Sequence, residues 1–135
     1  METAYYYLGL SGILTVLLWT PYILARAITW GIPTFLNNYP KGFPKDQPEP
    51  PLWALRSQRA HLNMVETLPA FAAVVFAANA IAPSAAYGNI AQWAQVFFVA
   101  RLVHAIVYTL GIPYLRTPVY LVSWLSVLMI GTTII

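Results

Sequence analysis

The residues best suited to chemistry in this sequence are polar side chains that recur at helical spacing. The middle of the chain carries four of them, spaced three, four and three residues apart: Arg56, Arg59, Asn63 and Glu66. Farther along, Arg101, His104 and Tyr108 are spaced three and four residues apart. Because residues three or four apart share one side of an α-helix, each set predicts one polar face. If the two helices pack together, the faces form an internal polar site.

The charges on these faces do not balance. The arginines are Arg56, Arg59, Arg101 and, beyond the second face, Arg116, whereas Glu66 is the only acid. A guanidinium group binds the oxygens of a carboxylate or a phosphate in pairs, so the surplus of positive charge predicts an anionic ligand. The structural alternative is that Glu66 pairs with Arg59 or Arg101 and only fixes the register of the helices.

The composition indicates that lipid surrounds most of the chain. Of its 135 residues, 59% are hydrophobic and 8% are charged, and the mean hydropathy is +0.63. A soluble domain would carry about 25% charged residues. A charged side chain near the centre of a bilayer costs at least about 2.5 to 3.5 kcal/mol. The polar faces must therefore point toward protein or water.

The gaps between the eleven charged residues mark the predicted membrane spans. Residues 5–25 and 117–135 are uncharged, and each stretch is close to the roughly 20 residues that a helix needs to cross the hydrocarbon. A longer uncharged stretch, 67–100, is interrupted by the turn-forming sequence Ala82-Pro83-Ser84. The sequence thus predicts an all-α membrane protein, a four-transmembrane-helix bundle in a single domain over residues 1–135. The helices are expected at about 4–30, 52–81, 86–110 and 116–134.

The connections between the helices predict the orientation in the membrane. Residues 37–51 contain five of the eleven prolines, so an extended loop is expected over about 31–51. Lys41 and Lys45 lie in this loop, and Arg116 follows the third helix. The positive-inside rule places both connections in the cytoplasm and both termini on the other side. A bacterial inner membrane is the expected location.

Several kinds of chemistry are disfavoured by what the sequence lacks. Without cysteine there is no disulfide framework and no thiolate metal site, so any sulfur chemistry must use the sulfur of a ligand. His61 and His104 have no acidic or cysteine companion at metal-ligand spacing, so no metal site is expected. The net charge of +3 reflects the positive membrane face, and no basic cluster interleaved with aromatics suggests nucleic acid. His61 lies about 200° around its helix from Arg59, which favours a hydrogen bond at the membrane interface or between helices over a ligand contact.

Two blocks of the sequence resemble a known superfamily. The segment from Arg59 to Phe71, with the pattern Arg-Ala-x-x-x-Asn-x-x-Glu followed by Pro-x-Phe, resembles the second helix of the membrane-associated proteins in eicosanoid and glutathione metabolism, the MAPEG superfamily. The block from Arg101 to Tyr108, followed by Arg116 to Tyr120, is similar to the third helix and the start of the fourth in that superfamily. The resemblance covers nearly the whole chain and is closest to the short bacterial members.

The resemblance implies a homotrimer that holds glutathione between neighbouring protomers and opens toward the cytoplasmic leaflet. It implies that Arg116 stabilises the glutathione thiolate, with Tyr120 as the second catalytic residue. The residues expected to bind glutathione are Arg26, Arg56, Arg59, Asn63, Glu66, Arg101, His104 and Tyr108. The implied activity is a glutathione-dependent transferase or peroxidase that acts on lipophilic electrophiles or hydroperoxides from the bilayer.

The sequence leaves some alternatives to this activity open and disfavours others. Leu62 stands where the prostaglandin E synthase branch has an arginine, which argues against isomerisation of prostaglandin H2. Arg26 could equally reach the cytoplasmic headgroups with its long side chain. The whole chain could also be a non-catalytic membrane protein that uses the fold for assembly or for binding a lipid or another anion. A multidrug-type exporter is disfavoured because the first predicted helix has no acid.

Overall fold

The computed structural model describes residues 1–37 and 47–135, and within these ranges all regular structure is helical. Five α-helices follow one another: α1 Glu2–Trp30, α2 Ile32–Leu36, α3 Leu52–Ile81, α4 Tyr87–Leu110 and α5 Arg116–Gly131. A single 3₁₀ turn, Ser84–Ala86, precedes α4. Lys41 and Lys45 lie outside the described residues.

Glycine and proline set the ends of these helices. Gly31, with φ 78°, separates α1 from the five-residue α2, which lies inside the segment predicted to be extended. Pro83 holds Ala82 in an extended conformation and so ends α3. At the end of α4, Gly111 adopts a left-handed conformation with φ 72°, and the N–H groups of Gly111 and Ile112 bond to the carbonyls of Tyr108 and Val107. This pair of bonds is a Schellman cap.

Three helical segments are long and apolar enough to cross a membrane: Glu2–Trp30, Leu52–Ile81 and Ser84–Leu110. The fourth predicted span corresponds to α5, a shorter apolar helix of 16 residues that ends at Gly131 rather than near residue 134. The structure therefore confirms an all-helical protein with membrane-spanning character. The count of four spans stays a prediction.

The apolar core lies in the half of the bundle nearest the turn between α3 and α4. The rings of Phe71 and Phe97 stack there with centroids 3.9 Å apart and an interplanar angle of 13°. Val75, Ile90 and Ala94 are fully buried beside them. The opposite half of α3 and α4 carries the polar residues and positions the candidate site.

Candidate functional site

A cavity of about 400 Å³ lies between α3, α4 and α5 in the polar half of the bundle. Six of the predicted site residues line it together with Thr117: Arg59, Asn63, His104, Tyr108, Arg116 and Tyr120. Each helix contributes two of the six, four residues apart, so each pair occupies successive turns of one helical face. The cavity thus exists because three such faces converge.

The buried side chain of Arg101 forms the support behind the cavity. It is 1% exposed, and its Nε donates to Met64 Sδ at 3.2 Å while its Nη1 donates to Asn63 Oδ1 at 2.9 Å. Because arginine has only donors, it fixes the amide of Asn63 with the oxygen turned toward it. The Nδ2 group of Asn63 is therefore left as a donor for a ligand in the cavity.

Two buried nitrogen atoms in this region have no hydrogen-bond partner, Arg101 Nη2 and His104 Nδ1. His104 is only 2% exposed. The buried side chains of Ser11, Ser123 and Ser126 bond to carbonyls of their own helices, as Ser126 Oγ does to Val122 at 2.8 Å. Most buried polar atoms in proteins are paired, and an unpaired one calls for a ligand, an ion or a water. The polar half of the bundle therefore retains binding capacity that the apolar half does not have.

Aromatic rings hold the cations of the site in place. The guanidinium of Arg116 lies 4.9 Å from the ring centroid of Tyr108, and that of Arg101 lies 5.7 Å from the centroid of Tyr120. His104 meets the edge of Tyr108 at 5.5 Å. These contacts orient the guanidinium groups without an acid, so their positive charge remains available.

Besides Arg101, three predicted site residues lie outside this cavity. Arg56 lines a neighbouring cavity at the turn between α4 and α5. Arg26 donates through Nη2 to Gln58 Oε1 at 2.6 Å and lies over the rings of Tyr22 and Trp30. Glu66 is exposed on the surface of the protomer, near the midpoint of α3. The sequence alone could not distinguish these positions, because all three lie at the polar end or on the polar face of their helices.

The partners of His61 and Arg101 test two predictions made from the sequence. The hydroxyl of Tyr22 and Nδ1 of His61 are 2.9 Å apart, which confirms the inter-helix bond predicted for His61. Arg101 has Asn63 and Met64 as its partners rather than Glu66, so the proposed ion pair between Arg101 and Glu66 is not formed within the protomer. Sequence reasoning missed Met64, since an apolar side chain gives no signal of a contact with arginine. It also missed Thr117, whose position beside Arg116 could have indicated it.

Within the described part of the chain, no group of three or more histidine, cysteine, aspartate or glutamate side chains could hold a metal ion. The chemistry of the cavity is instead that of hydrogen-bond donors. Arg59 and Asn63 supply donors from α3 and Arg116 supplies donors from α5, and the phenols of Tyr108 and Tyr120 can donate or accept. Such an arrangement binds carboxylates and stabilises a developing negative charge.

The fold and the cavity together describe a membrane protein of apolar helices with a partly open cavity rich in hydrogen-bond donors between α3, α4 and α5. The model of the MAPEG family matches residues 3–135, essentially the whole chain, and the chain belongs to this family. It is thus a membrane protein of the glutathione and eicosanoid metabolism family. Neither a curated protein nor a solved structure gives a significant match.

Proposed function

We propose that this chain is a glutathione-dependent membrane transferase or peroxidase that acts on lipophilic electrophiles or hydroperoxides. The observation that carries the proposal is the convergence of Arg59, Asn63 and Arg116 on one cavity, which no acid lines among the residues that the structure describes. Glutathione brings two carboxylates, which suit guanidinium and amide donors. The cavity volume of about 400 Å³ lies within the usual range of small-molecule sites, about 300 to 1,000 Å³.

In this proposal Arg59 and Asn63 bind a carboxylate of glutathione, and Arg116 lies beside the thiol. A nearby guanidinium lowers the pKa of a thiol and enlarges the fraction present as the nucleophilic thiolate. The thiolate attacks an electrophilic carbon and forms a carbon–sulfur bond while the leaving group departs with its electron pair. With a hydroperoxide, the thiolate attacks the outer oxygen, so the hydroperoxide is reduced to an alcohol. A second glutathione then converts the resulting sulfenic acid to glutathione disulfide and water. In this proposal Tyr120, which lines the cavity, donates a hydrogen bond to the departing oxygen.

The homotrimer is part of the proposal, and Glu66 supports it. This acid is exposed on the protomer and lies near the middle of the 30-residue α3, at the depth where a charge in lipid is most costly. A neighbouring protomer packed against α3 would remove Glu66 from lipid. Glu66 could then pair with the amino group of glutathione held between the protomers.

The proposed orientation places the cavity at the cytoplasmic face of a bacterial inner membrane, with both termini on the other side. The contact of Arg26 with Gln58 joins the end of α1 to the start of α3, and Arg116 lies over Tyr108 near the end of α4. The arginine-bearing helix ends thus gather at one end of the bundle, as the positive-inside rule requires. At 1.5 Å per residue, α5 would span about 24 Å and cross the bilayer as the fourth, slightly short span.

Calorimetry of glutathione binding to the protein in lipid nanodiscs tests the proposal, followed by the ultraviolet absorbance of the thiolate. Asn63→Ala should weaken binding about tenfold, since it removes a donor to a charged group. Asn79→Ala, the same exchange at an exposed site near the other end of α3, is the matched control and should bind normally. Binding without thiolate would favour the non-catalytic anion-binding alternative. No binding of glutathione would overturn both the activity and the ligand.

A further inference from the structure

A second cavity, of about 450 Å³, lies where the start of α3 meets the turn between α4 and α5. Arg56 and Arg116 both line it, and its other walls come from the turn itself, including Gly111 and Tyr114. The proposed function makes no use of this space. Tyr108, Arg116 and Thr117 form the boundary shared with the candidate glutathione cavity.

The fold holds Arg56 in this cavity through Gly111. The guanidinium of Arg56 lies directly against the Cα of Gly111, where a Cβ would overlap its Nη1 and Cζ atoms. The same glycine needs its positive φ of 72° for the cap of α4. A glycine at position 111 thus allows both the left-handed turn and the position of the Arg56 guanidinium against it.

Both arginines of this cavity have unused donors. Within residues 1–37 and 47–135, the hydrogen bonds donated by arginine come from Arg26 and Arg101. Arg56 rests on the backbone of Gly111, and Arg116 rests on the ring of Tyr108. Among the described residues, those that line the cavity include no acid. Two guanidinium groups with free donors in one cavity suit the oxygens of a phosphate group.

The surroundings favour a lipid as the source of that phosphate. The cavity lies at the junction where α4 ends and α5 begins, which is the level of the lipid headgroups for two apolar helices. A groove lined mainly by valines runs along the outer surface of α4 and α5, farther from this junction, and Val99, Val103 and Val122 in it are exposed. Val103 in this groove is one turn before Val107 of the cavity, and Val119 is one turn after Arg116. An amphiphile could therefore occupy both spaces at once.

We propose that Arg56 and Arg116 bind the headgroup phosphate of an anionic phospholipid whose acyl chain lies in the valine groove. This lipid is a ligand distinct from glutathione and from the lipophilic substrate. A zwitterionic lipid would carry its own ammonium group into a cavity that already has two cations. The site should therefore select phosphatidylglycerol over phosphatidylcholine.

Native mass spectrometry of the purified protein, supplied with equal amounts of the two lipids, tests this selection. The unsubstituted protein should retain phosphatidylglycerol, and Arg56→Gln should reduce this retention about tenfold. Gly111→Ala should act in the same direction by displacing Arg56. Arg26→Gln removes the same charge at the same end of the bundle, from α1, and should retain the lipid.

Four results would overturn the proposal. Equal retention of the two lipids by the unsubstituted protein would do so without depending on whether any variant folds. Undiminished selectivity in a folded Arg56→Gln protein would do so as well. Displacement of the lipid by inorganic phosphate at comparable concentration would show a site for free anions. Displacement by glutathione would show that the cavity is an extension of the glutathione site.

Discussion

The two halves of the α3–α4 pair are built from the same helices but bury opposite kinds of side chain, apolar in one half and polar in the other. Near the turn between them, Phe71 and Phe97 stack in a core with fully buried neighbours. Toward the other end, Arg101 and His104 are as deeply buried as the phenylalanines, yet each has a nitrogen without a partner. The apolar half needs no partner from outside the protomer. The buried nitrogens of the polar half need a ligand, an ion or a water as hydrogen-bond partner.

This difference separates the residues expected to control stability from those expected to control binding. In lipid, helices associate through close packing rather than through the hydrophobic effect, so the stacked apolar half should hold the pair together. The polar half carries the cost of buried unpaired donors, which a ligand can offset. Substitutions in the two halves should therefore change different measured quantities.

The largest effect is expected in the polar half, from Arg116→Ala. Removal of a charge-stabilising donor typically lowers a rate by about 10² to 10³, or roughly 3 to 4 kcal/mol. Glutathione binding should survive, because Arg59 and Asn63 remain. In the proposed role the guanidinium of Arg116 lowers the pKa of the glutathione thiol, so its loss should raise that pKa and shift the rate profile to higher pH. The rate of conjugation of an aromatic electrophile, measured against pH, checks this.

An Arg116→Ala protein with an unchanged rate and an unchanged pH profile would contradict the catalytic role. Arg116 would then serve only as an anchor at the positive face of the membrane.

In the apolar half, Phe97→Ala should lower the free energy of unfolding by roughly 3 kcal/mol. This is the low end of the range for deletion of a buried phenylalanine in soluble proteins, since lipid removes the hydrophobic share of the cost. Unfolding in mixed micelles measures it, and Val99→Ala, at a site 47% exposed on the same helix, should cost far less. The glutathione affinity of the folded protein should not change. A large loss of affinity in folded Phe97→Ala protein would show that the two halves are not separate.

The sequence could predict the helices of this fold and the faces that meet, but not which residues of those faces line the cavity and which support it. The all-helical architecture and the family are confirmed, and the i, i+4 pairs on α3, α4 and α5 do converge. These features depend on local periodicity, which a sequence displays directly.

Whether a residue on a polar face reaches a cavity depends on contacts between helices. Arg101 shares a predicted face with His104 and Tyr108, but it lies behind the cavity because Asn63 and Met64 of α3 receive its donors. Arg56 turns to a second cavity because the left-handed turn at Gly111 leaves room for its guanidinium. The spacing of residues along one helix predicts neither the position of Arg101 nor that of Arg56.

A smaller effect is expected from Arg101→Met, which sharpens the contrast between stability and binding. Methionine approximates the length of the side chain but removes the bond that orients the Asn63 amide. Glutathione affinity should fall about tenfold, as for a lost bond to a charged group. Stability should be unchanged or higher, since a buried cation with an unpaired nitrogen is replaced by an apolar side chain. Calorimetry and unfolding of the same preparation measure both quantities, and parallel losses would refute the positioning role.

The smallest effect is expected from Tyr22→Phe, which removes the hydroxyl that contacts His61. The net contribution of such a bond is about 1 kcal/mol of unfolding free energy. Tyr6→Phe, at a site 62% exposed on the same helix, is the matched control. Glutathione binding should be the same in both variants. A tenfold loss in Tyr22→Phe alone would place His61 and α1 in the binding site.

The described residues that line the two arginine-containing cavities include no acid, which has a consequence for the kinetics of binding. A ligand with net negative charge is attracted before it makes any contact, and the reach of that attraction is set by dissolved salt. The screening length is about 30 Å at 0.01 M ionic strength and about 8 Å at 0.15 M. The association rate of glutathione should therefore fall as salt is added, while its dissociation rate changes little. Arg56, which lies at the edge of the neighbouring cavity, should contribute to the speed of capture even if it never touches the captured molecule.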